Sequence, residues 1–203
     1  LLTIAFSLAT VFCTAKIYAS LKTIRQWNHL LVVPVYLIIG LFDGAIFLMV
    51  LLTIIDGLQF FQLNYFIIFL GAVAGLAKIL YWWSIDSTQS QSNTSTATGL
   101  GSSKKSVSML DAPTTSETFI MREMGFAIAR KHSRRLRLIT ILTLSIIPII
   151  IIFLMTQPIA LVSPMVLGII AILFSYFGTI IERWLFFAEA KHVAMLYYGA
   201  SKV

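Results

Sequence analysis

Along the chain, apolar residues gather into long runs broken by short polar stretches. Residues 1–18, 30–55, 61–83, 138–155 and 159–187 are each almost uniformly apolar. A helix needs about 20 residues to cross the roughly 30 Å hydrocarbon core of a bilayer. Each run is apolar on all sides, without the one-sided stripe of a surface helix, so the pattern predicts five membrane spans. The fold class expected is an all-α, polytopic transmembrane helix bundle.

Between the third and fourth runs the pattern changes twice. Residues 85–115 include "DSTQSQSNTSTATGLGSSKKS", a Ser/Thr/Gln/Gly-rich stretch almost without large apolar side chains. Such a segment cannot bury enough surface to offset its ordering entropy, and it reads as a disordered loop. Residues 116–137 then place Phe119, Ile120, Met124, Ala127 and Ile128 at three- and four-residue steps. Glu117 and Glu123 come early, and Arg130, Lys131, Arg134, Arg135 and Arg137 come late. That predicts a basic amphipathic helix lying in the interface before span four. The chain thus divides into spans one to three (1–84), the loop, the interfacial helix, spans four and five (138–190), and a tail (191–203).

Composition agrees with the pattern. The chain is 59% hydrophobic and 11% charged with mean hydropathy +0.92, against roughly 25% charged in soluble domains. The net charge of +7 is loop charge rather than a nucleic-acid surface. Lys16, Lys22 and Arg25 follow span one, the long loop and the run to Arg137 precede span four, and Lys191 and Lys202 follow span five. The connections 56–60 and 156–163 hold no Lys or Arg. Five spans put the three basic segments on one side, and the positive-inside rule makes that side cytoplasmic, the C-terminus included. The chain begins at Leu1 within an apolar run without a basic n-region, which reads as the middle of a longer protein rather than a signal peptide.

Chemistry-bearing residues are few. The single cysteine, Cys13, cannot form an internal disulfide or a cysteine-based metal site. His29, His132 and His192 fall at loops or span ends, and none pairs with another at the spacing of a haem-binding bundle, so neither haem nor metal is expected. No phosphate loop, HExxH or GxGxxG occurs. Asp43 stands about midway through span two, where a carboxylate costs roughly 2.5–3.5 kcal/mol on insertion scales. It reads either as a proton relay or quinone ligand, or as a buried carboxyl satisfied by a neighbouring hydroxyl or carbonyl. Gly40/Gly44 and Gly71/Gly75 make two small-xxx-small faces, read as ordinary close packing. Pro34, Pro148, Pro158 and Pro164 are expected to kink or bound spans. At the end of span five, Glu182 and Arg183 adjoin Trp184, Phe186 and Phe187. They read either as an aromatic and charged belt surfacing into headgroups, or as a site for a polar ligand or partner, with Arg183 the member expected to be buried. On a continuing helix Arg183, Phe187 and Lys191 would share one line, and Glu182, Phe186 and Glu189 the next.

Three blocks carry a family resemblance: "AKIYASLKTIRQWNH" (15–29), "REMGFAIARKHSRRLR" (122–137) and "ERWLFFAEAKHVAMLYYG" (182–199). Together, in this order, they resemble the dimethyl sulfoxide reductase membrane-anchor subunit family (DmsC-like), in its last five of eight spans. The resemblance implies a non-catalytic anchor in the bacterial cytoplasmic membrane. The anchor would hold an iron–sulfur subunit and a molybdopterin catalytic subunit and oxidise menaquinol, with no haem of its own. The family's quinol-site histidine and acid lie in spans with no counterpart here, so no quinol-site residue is carried over. Asp43, Glu182 and Arg183 remain the candidates from the residues themselves. A transporter or a purely structural assembly protein is the alternative class, although no inverted repeat is evident between spans one to two and four to five.

Overall fold

A computed structural model describes residues 1–56, 61–88, 93–99, 107, 110–111, 116, 127–157 and 162–198. Among them are five helices long and apolar enough to cross a membrane: α1 (Leu2–Ala19), α2 (Val32–Asp56), α3 (Phe61–Ser87), α6 (Ser133–Met155) and α7 (Pro164–Ala188). Among the described residues, two single-turn helices lie between α3 and α6, α4 (Thr94–Thr98) and α5 (Ala127–Lys131), and a 3-10 helix (Val193–Tyr198) follows α7.

The spans match the apolar runs, and their ends differ for local reasons. α3 continues to Ser87 and α6 begins at Ser133, each about a turn beyond its apolar run, because a helix keeps its hydrogen-bond ladder past the hydrocarbon edge. α7 starts at Pro164, where Ser163 Oγ accepts the Val166 N–H at 3.5 Å and proline suits the first helical position. It ends at Ala188, so Glu189 and Lys191 lie beyond the helix and the expected line through Lys191 is not formed. Most of the disordered-loop prediction, residues 117–126 of the interfacial helix, and the side chains of Ile128, Tyr197 and Tyr198 lie outside the described residues. Within the loop, α4 is capped by Asn93, whose Oδ1 accepts the Thr96 N–H at 2.8 Å. The expected interfacial helix divides at His132, whose φ of −107° breaks it, so Arg134, Arg135 and Arg137 belong to α6.

α2, α3, α6 and α7 pack on one another, whereas α1 leans on α2 and buries only Ala15. Pro148 cannot donate to residue 144 and its ring crowds that carbonyl. The turn before it opens into a π-helical stretch, Leu142–Ile146, with Ile147 N–H bonding Leu142 O. That turn seats against two glycines. A Cβ on Gly178 would lie 2.6 Å from Leu144 Cα, and one on Gly75 would lie 2.7 Å from Ser145 Oγ, which itself donates to Gly71 O at 2.8 Å. The two small-residue faces therefore diverge. Gly71/Gly75 is a close-packing face, but Gly40/Gly44 is not one within the described residues. A Cβ on Gly44 would meet nothing within 4 Å, and both glycines line an apolar groove of about 380 Å³ beside α1.

Candidate functional site

Ser175, Thr179 and Glu182 sit at i, i+4 and i+7 on α7, so they share one face. Toward that face α2 brings Asp43 and α3 brings Lys78. Asp43 is 8% exposed, and its Oδ1 accepts from Ser175 Oγ while its Oδ2 accepts from Thr179 Oγ1 at 2.8 Å. Glu182 is fully buried. Its Oε1 forms a salt bridge with Lys78 Nζ, itself 1% exposed, and its Oε2 accepts from Arg183 Nε. The Lys78–Glu182 contact is a close, wholly buried ion pair.

Aromatic rings enclose the cations. Lys78 Nζ lies 4.2 Å from the Tyr81 ring centre and 4.8 Å from that of Trp82. The Arg183 guanidinium lies 3.7 Å from the Tyr36 ring centre and 5.1 Å from that of Phe186. Such cation–π contacts gain strength where water is excluded. Arg183 Nη1 is buried and has no hydrogen-bond partner among the described residues. The Arg183 side chain keeps 25% exposure, so the wholly buried member of the dipeptide is Glu182, where the sequence favoured Arg183. Trp184 is 43% exposed and faces outward, as a belt residue does.

Below this network the ends of α1, α2, α3, α6 and α7 gather. Arg25 Nη1 donates to Thr88 O and Nη2 to Ile85 O at 3.1 Å, closing the C-terminal end of α3. Arg130 donates to Ala188 O at 3.0 Å and Ala190 O at 2.8 Å, closing the end of α7. Arginine suits these positions because the last carbonyls of a helix lack intrahelical donors and carry its negative dipole end. Arg137 bridges the same two helix ends, from Nε to Glu189 Oε1 at 2.8 Å and from its terminal nitrogens to the Asp86 carboxylate at 2.5 and 3.2 Å. Trp27 Nε1 donates to Phe186 O at 2.9 Å and stacks on the Phe186 ring. Tyr18 meets Trp27, Phe186 and Phe187 edge-on.

Burial, and secondarily the Arg25 charge, lowers the His29 pKa below its usual value, favouring the neutral ring that bonds Ser84 Oγ at 2.9 Å. A cleft of about 360 Å³ opens here, lined by Arg25, Gln26, Asp86, Arg130, Arg137, Glu189 and Lys191 among others. The described parts of all three sequence blocks that carried the resemblance meet at this end. It is one basic pole, as the alternation of loop charge predicted.

The structure thus joins Asp43 and Glu182 to one face of α7 and sets Arg183 beside them. Lys78, Ser175, Thr179 and Tyr36 were missed by the sequence reading. Lys78 had a signal, an ammonium within an apolar span that requires a buried acid.

Five apolar helices around a buried ion network, with a basic pole at one end, define a polytopic membrane protein. The chain is 31% identical over 193 residues to a subunit of the sulfite dehydrogenase of Allochromatium vinosum, an alignment covering 95% of this chain and 57% of that protein. The chain therefore spans little more than half the length of the curated relative it matches. No family model matches the chain, and no solved structure does.

Proposed function

We propose that this chain is the membrane-anchor portion of a respiratory oxidoreductase complex of the dimethyl sulfoxide reductase type. In this reading it tethers an iron–sulfur subunit and a molybdopterin catalytic subunit to the bacterial cytoplasmic membrane. The complex exchanges electrons with menaquinol, and this chain contributes the bundle beside which that exchange takes place. The observation that carries the reading is the similarity to a sulfite dehydrogenase subunit along 95% of the chain. The basic pole supports it further. Lys131, Arg134 and Arg135 are exposed around the arginine-capped helix ends and offer a charged surface to a soluble partner. Such a surface steers association more than it sets affinity.

The test is purification of the whole membrane protein, tagged in its native host, under mild detergent. The expected result is co-purification of two soluble subunits containing iron–sulfur clusters and molybdenum, with turnover linked to a menaquinol analogue. Purification of the chain without redox partners would remove the reading.

A further inference from the structure

The cleft of about 360 Å³ at the basic pole keeps polar donors that the fold does not use. Arg25, Arg130, Arg137 and Lys191 line it against Asp86 and Glu189, leaving a net charge of +2. Arg137 holds both carboxylates, so neither stands in the cleft as an unpaired negative charge. Arg25 and Arg130 donate to helix-end carbonyls, which accept hydrogen bonds but carry no full charge to cancel theirs. Two further donors are unspent. Gln26 is only 7% exposed and its Oε1 accepts the Lys191 N–H at 3.2 Å, yet its Nε2 has no hydrogen-bond partner among the described residues. The Lys191 ammonium is exposed and likewise without a partner among them. An amide donor in a buried side chain costs free energy when left unmet, so its place beside four cations points to an oxyanion.

Depth narrows the class of oxyanion. The cleft lies at the ends of α3 and α7, lined by Asp86 on one and by Glu189, the C-cap, on the other. Trp83 and Trp184, each four residues before the end of its helix, are exposed, as rings at headgroup level are. Leu138 follows Arg137 on α6 and is exposed, so apolar surface for an acyl chain begins where the charged wall ends. Basic pockets between spans at this level take anionic lipid headgroups.

We propose that the cleft binds the phosphodiester headgroup of an anionic phospholipid. Gln26 Nε2 and Lys191 Nζ donate to the phosphate oxygens, and Arg25 and Arg130 supply charge from behind. A free phosphate would gain from the same cations but nothing from Trp83 and Leu138 on the membrane side. The site requires only that the chain span a membrane, so it stands or falls apart from the oxidoreductase reading.

The whole protein, purified from its native host and stripped of lipid by detergent exchange, is titrated with phosphatidylglycerol and followed by native mass spectrometry. A single phosphatidylglycerol should bind at least about tenfold more tightly than phosphatidylcholine, and excess inorganic phosphate should not displace it. Lys191→Gln should weaken binding about fivefold, the worth of one cation near an anionic surface. Gln26→Glu keeps an acceptor for the Lys191 N–H but turns the amide donor into a repelling carboxylate, so the loss should be about tenfold or more. Lys22→Gln removes an exposed cation of the same pole that does not line the cleft, and should leave binding unchanged. If Gln26→Glu fails to insert, the comparison of Lys191 with Lys22 still decides. Equal losses in Lys191→Gln and Lys22→Gln, or equal binding of phosphatidylcholine, would reduce the effect to diffuse surface charge and overturn the site. Displacement by inorganic phosphate would overturn the lipid as its occupant. Binding that appears only once soluble subunits are removed would give the cleft to acidic groups of a partner and overturn it too.

Discussion

Asp43 and Glu182 are both buried carboxylates against the same face of α7, yet they are satisfied in opposite ways. Asp43 is held by the hydroxyls of Ser175 and Thr179, and Glu182 by the cations Lys78 and Arg183. A hydroxyl can turn away. If Asp43 is removed, Ser175 and Thr179 can bond carbonyls one turn back on α7, as Ser and Thr do in helices. An ammonium at 1% exposure has no such recourse. The bundle therefore tolerates a change at one carboxylate far better than at the other, although both look alike on a burial scale.

The largest effect is expected where that difference is greatest. Glu182→Gln leaves the buried Lys78 ammonium without its carboxylate, at a cost of roughly 3–5 kcal/mol, whereas Lys78→Ala leaves Glu182 with Arg183 and should cost less. Inserted protein should fall sharply in Glu182→Gln, as read by membrane content and thermal aggregation in detergent. The double change Lys78→Met with Glu182→Leu removes the wholly buried pair and should recover part of the loss, because such a pair is often no more stable than an apolar pair of similar size, while the partly exposed Arg183 loses its carboxylate. A double variant as unstable as Glu182→Gln would place the cost on Arg183 and not on the stranded ammonium.

Next in size is Gly178. The π turn that Pro148 imposes brings the Leu144 backbone against α7, and a Cβ there would lie 2.6 Å from Leu144 Cα. Backbone cannot rotate aside like a side chain, so Gly178→Ala should destabilise by about 1–3 kcal/mol, the usual range for overpacking. Thermal stability of the detergent-solubilised protein is the measurement. A stability equal to the wild type would show that α6 and α7 stand further apart.

Arg183→Ala comes third. Glu182 keeps Lys78 after the change, and the Arg183 head is partly exposed. The cost should be about 1–2 kcal/mol, between a surface pair and a buried one. The loss should appear chiefly as weaker retention of partner subunits, because Arg183 packs on Tyr36 and Phe186 next to the basic pole. Full retention and full stability would return this residue to a headgroup role.

These cases also mark what the sequence could and could not convey. The five spans were legible because hydropathy is local: each run declares its own burial in lipid, whatever its neighbours do. The gathering of the basic segments was legible because alternation follows from the span count. Partners were not legible. Nothing near Lys78 names Glu182, more than a hundred residues away and two membrane spans later in the chain. Nothing near Asp43 names the hydroxyls of Ser175 and Thr179, which are ordinary residues in a span. The end of α7 at Ala188 was missed because the aromatic and charged residues after it continue to read as helix. Past that end, Arg130 from another segment binds the Ala188 and Ala190 carbonyls, a partner the local sequence does not name.

The smallest effect tests the two glycine faces, which the sequence writes identically. Gly71 and Gly75 meet Phe42, Ile149 and Ser145 at once, while Gly44 opens on the groove by α1. In the described structure an added methyl on Gly44 touches nothing, and alanine carries a better helix propensity than glycine by about 1 kcal/mol. Gly44→Ala should therefore leave stability unchanged or slightly raised, whereas Gly75→Ala must push the Ser145 hydroxyl off Gly71 O. Measured side by side in the intact complex, the two substitutions should separate clearly in thermal stability. A marked loss in Gly44→Ala within the complex, absent from this chain alone, would mean that the complex seats another helix in that groove. The close-approach role that small-residue faces serve in membranes would then belong to both faces, one used inside the chain and the other outside it.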